Sequence, residues 1–221
     1  MLESFDTQLF YLINGHHCSA MDWTMWFLSS RWSWLIALVA AYLAVTIRTS
    51  HLSPFTFHLS PFTSHLSPFT SHLSPLTFHL DKRWWLPLAA IGLCFLLADR
   101  GSVMLFKDTV CRLRPCHALP DVHLFREGCG GQYGFVSSHA ANAFALVTFF
   151  WLRYRKKKST RFVPICLLVW AVLVCYSRIY LGKHYPGDIL CGALFGLLVG
   201  WVVWWVIKFF EKKIIIRETK K

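Results

Sequence analysis

The chain has 221 residues, 55% of them hydrophobic and 15% charged, with a mean hydropathy of +0.44. That length suits one domain, 1–221, and so apolar a composition excludes an ordinary soluble enzyme, which would leave large greasy patches in water. The formal charge of +12 does not signal nucleic acid, because most Lys and Arg sit in short clusters between apolar runs, where membrane topology accounts for them.

The first segment carries Glu3 and Asp6 where a secretion signal would carry Lys or Arg, and Arg31 is the first basic residue. It reads as an amphipathic or interfacial part of the mature protein. Phe5–Trp26 is broken by Asn14-Gly15-His16-His17 and fits a half-inserted hairpin. Five later stretches, roughly 32–47, 84–106, 138–153, 162–179 and 188–207, are apolar enough to cross a bilayer, which takes about 20 helical residues. The expectation is an all-α integral-membrane bundle of five to six transmembrane helices. The stretch at 138–153 is short, with Arg153 and Arg155 placed to snorkel. Trp23, Trp26, Trp32, Trp34, Trp84, Trp85, Trp151, Trp204 and Trp205 fall near the span ends, as an aromatic belt does. Cys94, Cys166, Cys175 and Cys191 lie in apolar runs, as small buried hydrophobes.

Between the first two spans, 49–81 is a low-complexity loop with a seven-residue repeat that sets His51, His58, His65, His72 and His79 in register. Pro54, Pro61, Pro68 and Pro75 exclude a coiled-coil heptad. Spaced histidines can hold a metal, but a duplicated loop that touches nothing is the simpler reading. Arg48, Lys82 and Arg83, then the cluster Arg153 to Arg161, then Lys208 to Lys221 put fifteen of the 23 basic residues on one set of connections, which the positive-inside rule assigns to the cytoplasm.

Three polar clusters fall on the opposite face: Lys107 to Pro115 after the second span, Val136-Ser137-Ser138-His139 before the third, and Ser177 to Asp188 between the fourth and fifth. Singly each has a plain explanation: an interfacial anchor for Arg114, a cap-region residue for His139, an N-cap for Asp188. Jointly, Lys107, Arg114 and Arg178 make a site for a dianion, with Ser137 offering a hydroxyl and the helix start at residue 138 offering unpaired N–H groups. Two histidines flanking such a site can divide the work of nucleophile and general acid. Asp188, four residues after His184, is placed to fix the tautomer of that imidazole.

The pattern Lys-x6-Arg-Pro, Ser-x-His and Ser-Arg-x5-His-x3-Asp resembles the three-part signature of the phosphatidic acid phosphatase type 2 family, which also includes glucose-6-phosphatase and the vanadium haloperoxidases. The resemblance covers about 84–207. Val136 and Ser138 depart from it, standing where the family usually has Pro and Gly; the Ser hydroxyl can obstruct the backbone's approach to phosphate or add a donor. The resemblance implies that His184 attacks phosphorus, Asp188 stabilises its imidazolium, and His139 protonates the leaving oxygen and then activates water. Lys107, Arg114, Arg178 and Ser137 hold the phosphate oxygens, the departing Ser138 hydroxyl is counted with them as an added donor, and no metal or other cofactor is called for.

The expected function is a lipid phosphate or diphosphate phosphatase of the inner (plasma) membrane with an extracytoplasmic site. Its partners are the lipid substrate and the bilayer, with no nucleic acid; nothing in the sequence speaks to oligomeric state. Undecaprenyl diphosphate ranks first as substrate, since Arg112, Arg126 or Lys183 could meet a second phosphate; lipid A phosphate and phosphatidylglycerophosphate follow. A haloperoxidase would need vanadate in the same pocket and has no need of a bilayer. An inactive scaffold or transporter would not be expected to keep His139, His184 and Asp188. Asp99-Arg100, within the second span, reads as a structural ion pair. Cys116 and Cys129 bracket a loop that a disulfide would clip in an oxidising compartment, with Cys111 as a competing partner.

Overall fold

The computed structural model describes residues 2–49, 85–126, 128–156 and 158–218. The histidine repeat from His51 to His79 and the basic residues Lys82, Arg83, Lys157, Lys220 and Lys221 lie outside the described residues. The elements in order are α1 (Leu2–Asn14), α2 (Ser19–Ser29), α3 (Arg31–Thr49), α4 (Trp85–Ser102), a π turn (Val103–Lys107), α5 (Asp108–Val110), α6 (Pro115–Ala118), α7 (Ser138–Tyr154), α8 (Phe162–Tyr180) and α9 (Pro186–Glu218). An isolated bridge between Leu113 and Tyr133 is the only non-helical pairing among the described residues.

All five expected stretches are helical, but among the described residues fewer than five helices have the length and hydropathy of a full span. Trp85–Val110, Phe162–Tyr180 and Pro186–Ile216 are long and apolar enough to cross a membrane; α2 and α3, bent by 59° at their junction, make a fourth if counted as one broken span. The helix at the third stretch, α7, has 17 residues. At 1.5 Å per residue it rises only about 25 Å, less than the hydrocarbon thickness of about 30 Å. What it lacks in length it has in burial: Ala140, Ala141, Ala143, Ala145, Leu146, Phe149 and Phe150 are fully enclosed, and α4, α8 and α9 pack around it. It is the bundle's axis, and the other helices turn Val39, Leu43, Val169, Val172, Leu194 and Leu198 outward, as lipid-facing helices do.

Lipid tails are as apolar as Leu, so helices in a bilayer are held by close packing and polar contacts rather than by escape from water. The tightest packing here is between α7 and α9. A Cβ added at Gly196 would lie 2.3 Å from the Ala141 carbonyl oxygen, and one at Gly200 2.3 Å from that of Ala145. At the far end of these two helices Arg153 donates from Nη2 to Glu211 Oε1 at 2.8 Å.

The break at Asn14–His17 separates α1 from α2, as the sequence suggests. Asn14, only 1% exposed, accepts from the His123 N–H at 2.9 Å and donates to the carbonyls of His123 (3.0 Å) and Tyr180 (2.7 Å). The hairpin thus closes over the end of α8 and the following loop. Cys116 and Cys129 are joined in a disulfide, and Cys111 is free and exposed. Of the four cysteines expected to be buried, Cys94 and Cys175 are; Cys191 is half-buried and Cys166 exposed, on faces that α8 and α9 present outward. Trp34 is not a belt residue, since it packs edge-on against Trp170, Phe95 and His139 inside the bundle.

Candidate active site

The end of α4, the start of α7 and the α8–α9 turn meet at one end of the bundle. They enclose a cavity of about 260 Å³ lined by Trp34, Asp99, Lys107, Arg114, Ser138, His139, Asn142, Arg178 and His184. Six of the eight expected site residues are in that lining. The other two stand just behind it. Ser137 is fully buried, with its Oγ making no bond to the described residues, and Asp188, also fully buried, backs His184.

Each cation is positioned by local structure. Lys107 closes the π turn, and its Nζ donates to Ser138 Oγ at 2.8 Å. Ser102 Oγ lies 2.6 Å from Ser138 Oγ and donates to the Asp99 carbonyl at 2.7 Å. Because a carbonyl can only accept, the Ser102 proton is spent there; Ser138 must then donate to Ser102 and accept from Lys107. The Ser138 hydroxyl therefore has no proton left for a phosphate, and acts as an anchor for Lys107. Arg114 precedes Pro115 and is held by its own backbone N–H to the Gln132 carbonyl (3.1 Å), by Nε to that of Tyr133 (3.2 Å) and by Nη1 to that of Cys129 (3.1 Å). The disulfide thus pins the strand of chain on which the guanidinium leans. Arg178, 6% exposed, enters from the last turn of α8 and donates to Ser29 Oγ.

His184 is 2% exposed, with Nδ1 lying 3.5 Å from Asp188 Oδ2. Burial, then the charges of Arg178, Arg114 and Lys107, hold its pKa well below the ordinary imidazole value, so the ring is neutral at physiological pH. Nδ1 turned toward Asp188 leaves Nε2 as the free lone pair. Asp188 is the third residue of α9, and its Oδ2 also accepts from the Tyr185 N–H at 3.1 Å. Its carboxylate therefore reaches back over the helix start, as an acid at that position can, and serves the histidine as well. His139, in the first turn of α7, faces the same cavity, and that turn also brings the positive end of the helix dipole.

Sequence reasoning missed Asn142 and Ser102, and misassigned Trp34, Arg112 and Asp99. Asp99 is exposed and lines the cavity with Lys107, and no ion pair joins it to Arg100 among the described residues. Asn142 follows His139 by three residues, and its buried Oδ1 makes no bond to the described residues; that helical spacing could have found it. Trp34 comes from a distant helix and left no local signal. Arg112 donates from Nη1 to Asp188 Oδ1 at 3.0 Å and from Nη2 to Asp6 Oδ2 at 2.7 Å. Lys183 donates to the Gly128 carbonyl at 2.9 Å, and Arg126 stacks over Trp23 at 4.5 Å. None of Arg112, Arg126 and Lys183 lines the cavity.

Residues 83–212 match the family model described as the PAP2 superfamily. The chain is 29% identical over 202 residues to lipid A 4'-phosphatase of Bacteroides thetaiotaomicron, covering 88% of this chain and 73% of that one. It is 30% identical over 203 residues to lipid A 4'-phosphatase of Porphyromonas gingivalis, covering 88% and 69%. Phosphatidylglycerophosphatase B of Bacillus subtilis is 34% identical over 131 residues, covering 56% and 59%. Among solved structures, Aquifex aeolicus LpxE superimposes with a TM-score of 0.54 at 22% identity, over 89% of this chain and 93% of that one. The transmembrane PAP2-type phosphatidylglycerolphosphate phosphatase of Bacillus subtilis superimposes with a TM-score of 0.59 at 20% identity, over 96% and 87%. These two likenesses bear on the fold, and the family match spans all three polar clusters. The chain belongs to the PAP2 superfamily, as a membrane lipid phosphatase.

Proposed function

We propose that the chain hydrolyses a phosphomonoester on a membrane lipid through a phosphohistidine, with lipid A phosphate as the first-ranked substrate. One observation carries the chemistry: His184, backed by Asp188, and His139 face a single cavity with Lys107, Arg114 and Arg178. His184 Nε2 attacks phosphorus in line, and the bond to the lipid oxygen breaks as His139 protonates that oxygen. The three cations take up the charge that gathers on the equatorial oxygens. Asp188 stabilises the imidazolium of the intermediate. A water then attacks phosphorus, giving its proton to His139, and the P–N bond breaks to release phosphate.

The ranking rests on two supports. The residues named for a second phosphate are committed elsewhere, Arg112 to Asp6 and Asp188, Lys183 to Gly128, and Arg126 to the Trp23 ring. Asp99, facing the cavity, would also repel another anion. Relatives at 29% and 30% identity carry the name lipid A 4'-phosphatase. Undecaprenyl diphosphate, first in the expectation from sequence, stands second, and phosphatidylglycerophosphate third. The charge pattern supports a site on the extracytoplasmic face of the inner membrane.

The test is phosphate release by the purified wild-type chain in detergent from these three lipids, in chelator, with a phosphoenzyme trap. We expect lipid A phosphate to give the highest kcat/KM, chelator to have no effect, His139→Ala to accumulate phosphoenzyme, and His184→Ala to form none. Highest kcat/KM on the diphosphate overturns the ranking; phosphoenzyme in His184→Ala overturns the mechanism.

A further inference from the structure

The amino-terminal helix reaches the catalytic pair through a chain of charges that the three polar clusters do not include. Asp6, on the second turn of α1, uses both carboxylate oxygens: Oδ2 accepts from Arg112 Nη2 at 2.7 Å, and Oδ1 accepts from the Gly187 N–H at 2.7 Å. The other arm of the same guanidinium donates to Asp188 Oδ1 at 3.0 Å, and the guanidinium stacks over the Tyr185 ring at 4.0 Å. Asp188 Oδ2 accepts from the Tyr185 N–H and lies 3.5 Å from His184 Nδ1, an approach of charge to ring rather than a formed hydrogen bond. One planar fork is thus divided between two carboxylates, one of them fully buried behind the nucleophile.

We infer that Asp6 and Arg112 are positioning residues for the His184–Asp188 pair, which makes α1 part of the catalytic apparatus. This rests on the phosphatase reading above. A carboxylate with no exposure is costly to keep ionised without donors, and Arg112 is the one cation bonded to Asp188 among the described residues. Left with Asp188 alone, Arg112 could turn both arms to it. That bidentate pair would draw the carboxylate off the histidine, which needs it when the imidazolium forms. Asp6 occupies the second arm and prevents this. Its bond to Gly187 also fixes the first turn of α9, the turn from which Asp188 projects. The Arg112 pKa is raised in agreement: burial acts to lower it, but the Asp6 hydrogen bond and the charges of Asp188 and Asp6 prevail.

The groups facing the His184 ring are Arg178 from α8, Arg114 and Lys107 from the α4 side, His139 from α7 and Asp188 from α9, with Arg112 and Asp6 one step behind. Removing a charge from that second row should move the ring's titration by its sign. Loss of the Asp6 anion lowers the His184 pKa, and loss of the Arg112 cation raises it.

The experiment uses the full chain in detergent, with p-nitrophenyl phosphate, whose leaving group needs no proton, and with a short-chain lipid phosphate. Asp6→Asn is expected to lower kcat roughly ten- to a hundredfold on both substrates, with KM within about twofold, as misplacement of a reacting group does. The acid limb of kcat/KM should move down in Asp6→Asn and up in Arg112→Gln, and Arg112→Lys should restore part of the rate. Tyr11→Phe removes another anchor of α1, the 2.9 Å bond to the Pro120 carbonyl, without touching Asp188, and should keep the wild-type kcat. Wild-type rates in Asp6→Asn, or acid limbs that do not move in opposite directions, would overturn the assignment. So would a Tyr11→Phe loss equal to that of Asp6→Asn, which would mean that α1 acts only through its docking. A wild-type chain that releases no phosphate from either substrate would instead overturn the phosphatase reading beneath it.

Discussion

At the scale of single residues, Ser138 is where this chain departs most informatively from its family's usual pattern. A side chain at a position the family gives to Gly could obstruct the approach of phosphate to the backbone. The hydroxyl is instead bonded to Ser102 and Lys107, with its proton already spent. Ser138→Gly should therefore raise KM for lipid phosphate and the inhibition constant of vanadate together. A net loss of about 1 kcal/mol for the bond to Lys107 corresponds to roughly fivefold. Steady-state kinetics with vanadate inhibition check this, and tighter vanadate binding in Ser138→Gly would show the hydroxyl to be an obstruction after all. The neutral state of His184 belongs to the same scale. Its depressed pKa follows from burial and three cations, so the nucleophile stays unprotonated as pH falls through the ordinary imidazole range.

At the scale of elements, the site depends on how closely α7 and α9 approach, because one carries His139 and the other Asp188. Gly196 permits that approach: a Cβ there would collide with backbone, which cannot step aside as a side chain can. Gly196→Ala should cost about 1–3 kcal/mol as overpacking and lower the melting temperature in detergent. Gly92, in α4, has nothing within 4 Å of an added Cβ. Gly92→Ala should be neutral or stabilise by roughly 0.5–1 kcal/mol, because it removes only backbone freedom from the unfolded chain. Thermal melts of the two variants beside wild type decide the matter; equal melting temperatures would show that the helices can separate without loss.

At the scale of the whole molecule, the site lies at one end of the bundle and the paired Arg153 and Glu211 at the other. Arg155, Lys156 and Lys158 follow Arg153 at that end, so by the positive-inside rule reporter fusions at Lys156 and Lys221 should read as cytoplasmic, and labelling at Cys111 as extracytoplasmic. Deleting Leu52–Phe78, a repeat that contributes none of the expected site residues, should leave activity within about threefold, because lengthening or shortening a loop changes its closure entropy only slowly. An extracytoplasmic reading at Lys156 would reverse the proposed orientation and move the site to the cytoplasmic face.

Hydropathy alone determined the all-helical membrane class, because backbone in lipid must bond within itself and a helix is the local way to do so. Spacing alone picked out Lys107, Arg114, His139, Arg178 and His184, because each sits beside a helix end or turn whose position follows from the local sequence. The chain could not show which helix is central. α7, at 17 residues the shortest of the expected stretches in helical form, is recognisable as the axis only once α4, α8 and α9 are packed around it. Nor could it show that Trp34 would leave the membrane boundary for the cavity wall, or that Arg112 would face Asp188 and Asp6 rather than a substrate. Those contacts join residues 76 and 106 positions apart, and no periodicity links positions so distant. Local physics places a residue on an element; only packing decides what that element faces.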